Sequence, residues 1–130
     1  MSVVLDASVL IAWLDPQDGH HHSVLSDLHE AAREQWAISA LTLAEVMTRA
    51  AADEELLAAV GEAVADLELV VVPLGDEDAE ALARLRAASG LRMPDCCVLL
   101  VASTLGGRVL STDTQLVRRA GELGLDARLL

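Results

Sequence analysis

Short, mostly apolar runs alternate with longer amphipathic stretches along the whole of this 130-residue chain. The runs VVL at 3–5, WAIS at 36–39, LVVV at 69–72 and RVLS at 108–111, with a last one near 126–129, predict strands. One or two predicted helices separate each strand from the next, and parallel strands require crossovers of that kind. The alternation therefore predicts an α/β fold, namely a three-layer α/β/α sandwich with a mainly parallel central sheet.

The helices predicted between these strands have recognisable boundaries. Apolar residues recur at helical spacing from His22 to Glu34. Thr42 and Glu45 have the Ser/Thr-x-x-Glu form of a capping box, so we predict a helix that begins near Thr42 and continues to about Asp66. Three further helices are predicted over 76–89, over 95–105 and from 114 to about 120.

The length of the chain suits a single domain, and we assign 1–130 to one unit. No apolar stretch approaches the roughly 18 residues that cross a bilayer, and Asp6 interrupts the first apolar run, unlike a secretory signal. We therefore expect a soluble, cytoplasmic protein with no membrane partner. Cys96 and Cys97 are adjacent, which suits neither a disulfide nor a zinc half-site, so we expect them to pack as small apolar side chains.

The formal net charge of the chain is -12, and its nine basic residues are all arginine. Such a balance repels polyanions at long range, which taken alone argues against a nucleic-acid-binding protein. Part of the acidity falls at 53–55 and 76–80, where helices are predicted to begin. Carboxylates in a first helical turn interact favourably with the helix dipole, so these two clusters are interpreted as solvated helix starts.

Four other acidic residues are less easily explained. Asp6 and Asp113 each follow a predicted strand, and the crevice beyond the carboxyl ends of parallel strands is where such sheets bind ligands. Asp95 begins a strongly apolar helix, and Glu45 stands in the apolar segment LTLAEVM. A carboxylate in apolar surroundings is costly unless it is paired or hydrogen-bonded. Taken singly, Glu45 has an ordinary alternative role in a capping box, and Asp95 in satisfying a helix N-terminus.

A divalent metal ion would supply the positive charge that four converging acids need, because the chain has no lysine and its arginines are scattered. Carboxylate oxygens are the ligands that Mg²⁺ and Mn²⁺ prefer. Arg92, three residues before Asp95, is the basic side chain that we expect to touch an anionic substrate.

Four segments together resemble the PIN domains, and specifically the VapC toxins, over essentially the whole chain. They are VVLDASVLIAWL, AISALTLAEV, MPDCCVLLVA and RVLSTD, in this order. The resemblance implies that Asp6, Glu45, Asp95 and Asp113 form a site for one or two Mg²⁺ or Mn²⁺ ions, which Ser8 and Thr112 line. It further implies an endoribonuclease that hydrolyses RNA phosphodiesters, a VapB-like antitoxin as partner, and a homodimer.

Two alternatives remain open at this stage. LDASVL places an aspartate after the first strand, as in aspartate-nucleophile phosphatases of the haloacid dehalogenase type, but Ser8 stands where that chemistry needs a second aspartate and the required lysine is absent. A catalytically silent PIN-like binding module is the other alternative. The presence of all four acids favours activity.

Overall fold

The computed structural model describes residues 2–130. Its five strands are β1 (Ser2–Leu5), β2 (Gln35–Ser39), β3 (Val70–Val72), β4 (Arg108–Ser111) and β5 (Ala127–Leu129). They form one sheet in the order β3-β2-β1-β4-β5, and every pairing between neighbours is parallel. The prediction of a mainly parallel sheet is confirmed.

Seven α-helices connect and flank these strands. They are α1 (Ala7–Leu14), α2 (His21–Glu30), α3 (Ala40–Ala50), α4 (Glu54–Asp66), α5 (Ala79–Ser89), α6 (Met93–Leu105) and α7 (Thr114–Glu122), with a short 3₁₀ helix (Asp76–Asp78) before α5. No single helix in residues 2–130 has the length and apolar character to cross a membrane, although the 3₁₀–α5 segment and α6, bent by 112°, meet those criteria as a pair.

Alternate residues of the central strand β1 fill two separate hydrophobic cores, as expected for a strand covered on both faces. Val3 and Leu5, both fully buried, pack on one face with residues from α1 to α4. Val4, also fully buried, packs on the other face with residues from α5, α6 and α7. The three-layer arrangement is therefore confirmed.

The strand order reverses beside β1. The chain runs outward from β1 through β2 to β3, then returns to place β4 on the other side of β1. After β1 it enters α1 on one face of the sheet, whereas after β4 it enters α7 on the opposite face. Chain segments that diverge in this way leave a crevice between the carboxyl ends of the two strands. This crevice lies directly beyond β1 and β4.

The helix predicted from His22 to Glu34 ends earlier, at Glu30. The chain turns after Ala31, whose carbonyl oxygen accepts a hydrogen bond from Trp36 Nε1 at 3.0 Å. The turn brings Glu34 to β4, where it forms a two-point ion pair with Arg108 at 2.7 and 2.8 Å. The helix therefore ends where local periodicity would continue it, and the segment that follows is held by contacts with Trp36 and Arg108.

The predicted capping box at Thr42 is wrong. Ser39, the last residue of β2, caps α3, and its Oγ accepts a hydrogen bond from the Thr42 backbone N–H at 3.0 Å. Glu45 is therefore free of a capping role and lies within α3. The helix also stops at Ala50, because Asp53 caps a separate helix α4 through its side-chain oxygen.

Gly107 brings the start of β4 against β1. A Cβ atom at this position would lie 2.6 Å from the Ser2 backbone oxygen, and a backbone atom cannot move away easily. We expect Gly107→Ala to lower the free energy of unfolding by about 1–3 kcal/mol. Gly61→Ala in α4 is the control, because a Cβ there meets no atom within 4 Å and alanine favours a helix. Urea unfolding that showed equal changes for both variants would contradict this packing argument.

Candidate functional site

A pocket of about 260 Å³ occupies the crevice beyond β1 and β4. All seven residues singled out from the sequence line it, namely Asp6, Ser8, Glu45, Arg92, Asp95, Thr112 and Asp113. Four further lining residues are Ala7, Ile11, Asp18 and Arg49. The structure thus brings together acids that are separated by more than one hundred positions along the chain.

Asp6 is held rigidly at the floor of this pocket. It follows β1, caps the N-terminus of α1 and is 8% exposed. Its Oδ1 accepts a hydrogen bond from the Ala7 backbone N–H at 2.8 Å, and its Oδ2 accepts from Ser8 Oγ at 3.0 Å and from Ser111 Oγ at 2.7 Å. Three donors therefore fix the direction of this carboxylate without neutralising its charge.

Ser111 is a site residue that the sequence analysis missed. It ends β4, is fully buried, and accepts a hydrogen bond from the Asp113 backbone N–H at 2.9 Å while donating to Asp6. Ser8 likewise accepts from the Thr112 backbone N–H at 3.1 Å. The two serines connect the ends of β1 and β4. The signal that could have identified Ser111 was a hydroxyl at the last position of a predicted strand, two residues before Asp113.

Asp113 approaches the pocket from the start of α7. Its Oδ1 caps that helix by accepting from the Gln115 and Leu116 backbone N–H groups at 2.9 and 3.4 Å. The residue is exposed, unlike Asp6. Asp113 therefore has both a capping role and a carboxylate oxygen, Oδ2, that accepts no hydrogen bond within residues 2–130.

Asp95 and Glu45 come from helices α6 and α3, and neither side chain accepts a hydrogen bond from residues 2–130. Asp95 is 9% exposed. Burial raises its pKa from 3.8 to about 6, and the charge of Asp6 adds to the rise. Arg92, whose Nε lies 3.8 Å from Asp95 Oδ2, opposes it. Burial, again with the charge of Asp6, also raises the pKa of Glu45. These carboxylates repel one another, and the positive charge of Arg92 offsets only part of that repulsion.

The donor set suits a hard divalent cation, because four carboxylates share one pocket and the pKa values of two are raised in its absence. Within residues 2–130, no three His, Cys, Asp or Glu side chains are placed closely enough to hold an ion as they stand. An ion held by three or more of these acids would therefore require side-chain rotation. Asp95 and Glu45, which have no hydrogen bonds to break, are the acids best able to rotate.

Asp18 and Arg49 are the other polar residues that the sequence analysis did not assign to the site. Asp18 lies in the turn between α1 and α2, and its Oδ1 accepts from the His20 backbone N–H at 2.8 Å. Arg49 is in the last turn of α3, four residues after Glu45. Nothing in the local sequence distinguishes either from a surface residue, and the packing of α3 against α1 brings them to the pocket.

Ser111 is expected to act as a positioning residue for Asp6. Ser111→Ala removes a donor from the buried Asp6 carboxylate and the side-chain acceptor of the Asp113 N–H, which costs about 1–3 kcal/mol of stability. If Asp6 binds metal, affinity should also fall by about 10- to 100-fold. Calorimetry with Mn²⁺ and urea unfolding measure these two effects. Ser103→Ala, at an exposed position of α6, is the matched control and should change neither.

The fold and pocket define this molecule as a parallel α/β protein with an acidic crevice at the point where its strand order reverses. The PIN domain family model matches residues 3–122, and the chain belongs to that family. The resemblance found in the sequence is thereby confirmed, and PIN domains of VapC toxins are generally nucleases. No curated protein matches the sequence significantly.

Solved structures share this fold over nearly the whole chain. VapBC2 from Rickettsia felis, solved bound to a DNA fragment from its promoter, superposes with a TM-score of 0.78 at 13% identity, covering 100% of this chain and 99% of that one. FitAcB from Neisseria gonorrhoeae superposes with a TM-score of 0.72 at 19% identity, covering 96% of this chain and 95% of that one. VapC20 from Mycobacterium tuberculosis, described as a sarcin-ricin-loop-cleaving toxin, superposes with a TM-score of 0.72 at 17% identity, covering 95% of each chain.

Proposed function

We propose that this chain is a metal-dependent endoribonuclease and the toxin of a VapBC-like toxin–antitoxin pair. The observation that carries the proposal is the convergence of Asp6, Glu45, Asp95 and Asp113 on one pocket at the strand-order reversal. Family membership supports a nuclease, and the raised pKa of Asp95 supports a pocket that gains stability from a cation. A catalytically silent PIN-like module is the alternative.

In this proposal the four acids hold one or two Mg²⁺ or Mn²⁺ ions. When bound, such an ion would activate water and stabilise the negative charge that develops on the scissile phosphate. Ser8 and Ser111 keep the Asp6 carboxylate turned toward the pocket. Thr112 lines the pocket and gives its backbone N–H to Ser8, so its proposed contribution is to the position of that hydroxyl.

Arg92 is proposed to contact an RNA phosphate. Its side chain is 76% exposed and its only ionic contact within residues 2–130 is the 3.8 Å approach to Asp95. A charge that is so weakly engaged remains available to an anion entering the pocket. The overall charge of -12 opposes this approach at a distance, but charges within a Debye length of about 8 Å dominate at the pocket itself.

A VapB-like antitoxin is the proposed protein partner. The similar structures from Rickettsia felis and Neisseria gonorrhoeae are described as VapBC2 and FitAcB, and another is a toxin–antitoxin complex from Klebsiella pneumoniae. An arginine-rich segment would complement the strongly acidic surface of this chain. A homodimer and a cytoplasmic location stay predictions, of which sedimentation velocity tests the first.

Expression of the wild type and of Asp6→Ala in a bacterium tests the proposed function. We expect the wild type to arrest growth and to produce new RNA 5′ ends, and Asp6→Ala to do neither. Asp66→Ala, at an exposed acid beyond the opposite edge of the sheet, is the control and should behave as wild type. New RNA ends in the Asp6→Ala strain would reject the catalytic assignment, and a wild type without new ends would favour the silent module.

A further inference from the structure

Arg49 stands between the acidic pocket and a second cavity. It lines the acidic pocket on one side, and on the other it lines an apolar cavity of about 360 Å³ between α1, α3 and α4. Ile11 is the one other residue common to both linings, so the two cavities adjoin along this short boundary. An exposed guanidinium at such a boundary lies where an extended ligand would leave the pocket.

The charge of Arg49 is not used within the described part of the chain. No carboxylate of residues 2–130 lies within 4.0 Å of it, although Glu45 is four residues earlier in the same helix, a spacing at which ion pairs commonly form. Five of the other arginines do form ion pairs, namely Arg84, Arg92, Arg108, Arg119 and Arg128. Arg86 instead donates to the Leu91 carbonyl oxygen at 2.6 Å.

The two arginines that border the pocket therefore differ, because Arg92 is near a carboxylate and Arg49 is not. Arg92 approaches Asp95 and opposes the rise in the pKa of Glu45, so part of its charge compensates the acids. Arg49 has no such contact and lies toward the apolar cavity. In the proposed function, the four acids would hold metal beside the scissile phosphate. A second phosphate of the same strand then needs a cation outside the acidic cluster, and Arg49 is placed to supply it.

We propose that Arg49 binds the RNA backbone phosphate that neighbours the scissile one, on the side of the apolar cavity. This inference rests on the proposed ribonuclease function. It assigns Arg49 a role in binding and in strand placement, and none in metal binding. A guanidinium–phosphate contact of this kind is charge-assisted and adds to affinity for any sequence.

The test measures binding of a short fluorescent single-stranded RNA by anisotropy in Ca²⁺ over a series of salt concentrations, together with cleavage kinetics in Mg²⁺. For Arg49→Ala we expect Kd and KM to rise about tenfold, while kcat falls less. The slope of log Kd against log salt should decrease by about 0.7, the value for one lost phosphate contact on a single strand. Arg49→Lys should restore part of the affinity and most of the slope.

Arg33→Ala is the matched control. Arg33 is also exposed and has no ion pair within residues 2–130, but it lies beside the start of β2, at the opposite edge of the sheet. We expect its Kd, KM and salt slope to match wild type. If wild type cleaves RNA and the two alanine variants have equal affinities, the role of Arg49 is overturned while the proposed function stands. If wild type neither binds nor cleaves RNA in either cation, both fail.

Discussion

Asp6→Asn is expected to lower Mg²⁺- or Mn²⁺-dependent RNA cleavage by at least about 100-fold, because it removes the charge of the most firmly held carboxylate of the site. Asparagine has nearly the same shape. Its side-chain oxygen can still accept from the Ala7 backbone N–H, and its amide NH₂ can donate to the Ser8 and Ser111 hydroxyls, which now donate to Asp6. The fold should therefore persist. Cleavage of a labelled RNA, with circular dichroism of both proteins, measures the effect.

Asp66→Asn controls for the loss of one negative charge. Asp66 is exposed at the end of α4, beyond the opposite edge of the sheet, so its substitution changes the net charge equally without touching the pocket. We expect this variant to cleave RNA like wild type. Equal activities of Asp6→Asn and wild type would mean that Asp6 has no part in the reaction.

Asp95→Asn is expected to stabilise the metal-free protein while abolishing its response to metal. The pKa of Asp95 rises from 3.8 to about 6 on folding, and about 1.4 kcal/mol corresponds to each pKa unit. The ionised side chain therefore costs about 3 kcal/mol at pH 7.5, a cost that asparagine avoids. Urea unfolding in EDTA at this pH should show the gain, and a variant less stable than wild type would contradict it.

The same pKa sets the pH dependence of stability. Between pH 4 and 6 the folded state holds a proton on Asp95 that the unfolded state has released. This contribution to stability is complete below about pH 4 and is lost as pH rises through about 6. In EDTA, the difference in stability between Asp95→Asn and wild type should therefore grow from pH 4 to pH 7.5. A constant difference would show that Asp95 has an ordinary pKa.

Much of this fold was predictable because its three inner strands, β1, β2 and β4, are largely buried on both faces. VVL, LVVV and RVLS are nearly continuous apolar runs, and helices had to separate them, so the parallel sheet followed. The positions of Asp6 and Asp113 were predictable for a related reason, since Asp6 directly follows one such run and Asp113 lies two residues after another. Carboxyl ends of parallel strands share one edge of a sheet, whatever the strand order.

Other features depend on contacts that local sequence does not encode. Beyond the end of α2, Glu34 pairs with Arg108, which is 74 positions away. Ser39 and Thr42 are both capable caps, and only the end of β2 selects Ser39. Apolar surroundings singled out Glu45 and Asp95, but each also had an ordinary local role, and the family resemblance was needed to place them in one site with Asp6 and Asp113. Arg49 had no sequence signal, because its position relative to two cavities depends on how α1, α3 and α4 pack.

We propose that four carboxylates bind a divalent ion together, one directly after β1, one in α3, one in α6 and one at the N-cap of α7. The most direct test of this proposal is a thermal melt of wild type, Asp6→Asn and Asp66→Asn in EDTA and in excess Mn²⁺. At about 100 times Kd the ion should stabilise wild type by about 2.7 kcal/mol and raise its Tm by several degrees. We expect this increase for wild type and Asp66→Asn and its near absence for Asp6→Asn. Equal increases in all three proteins would contradict the proposal.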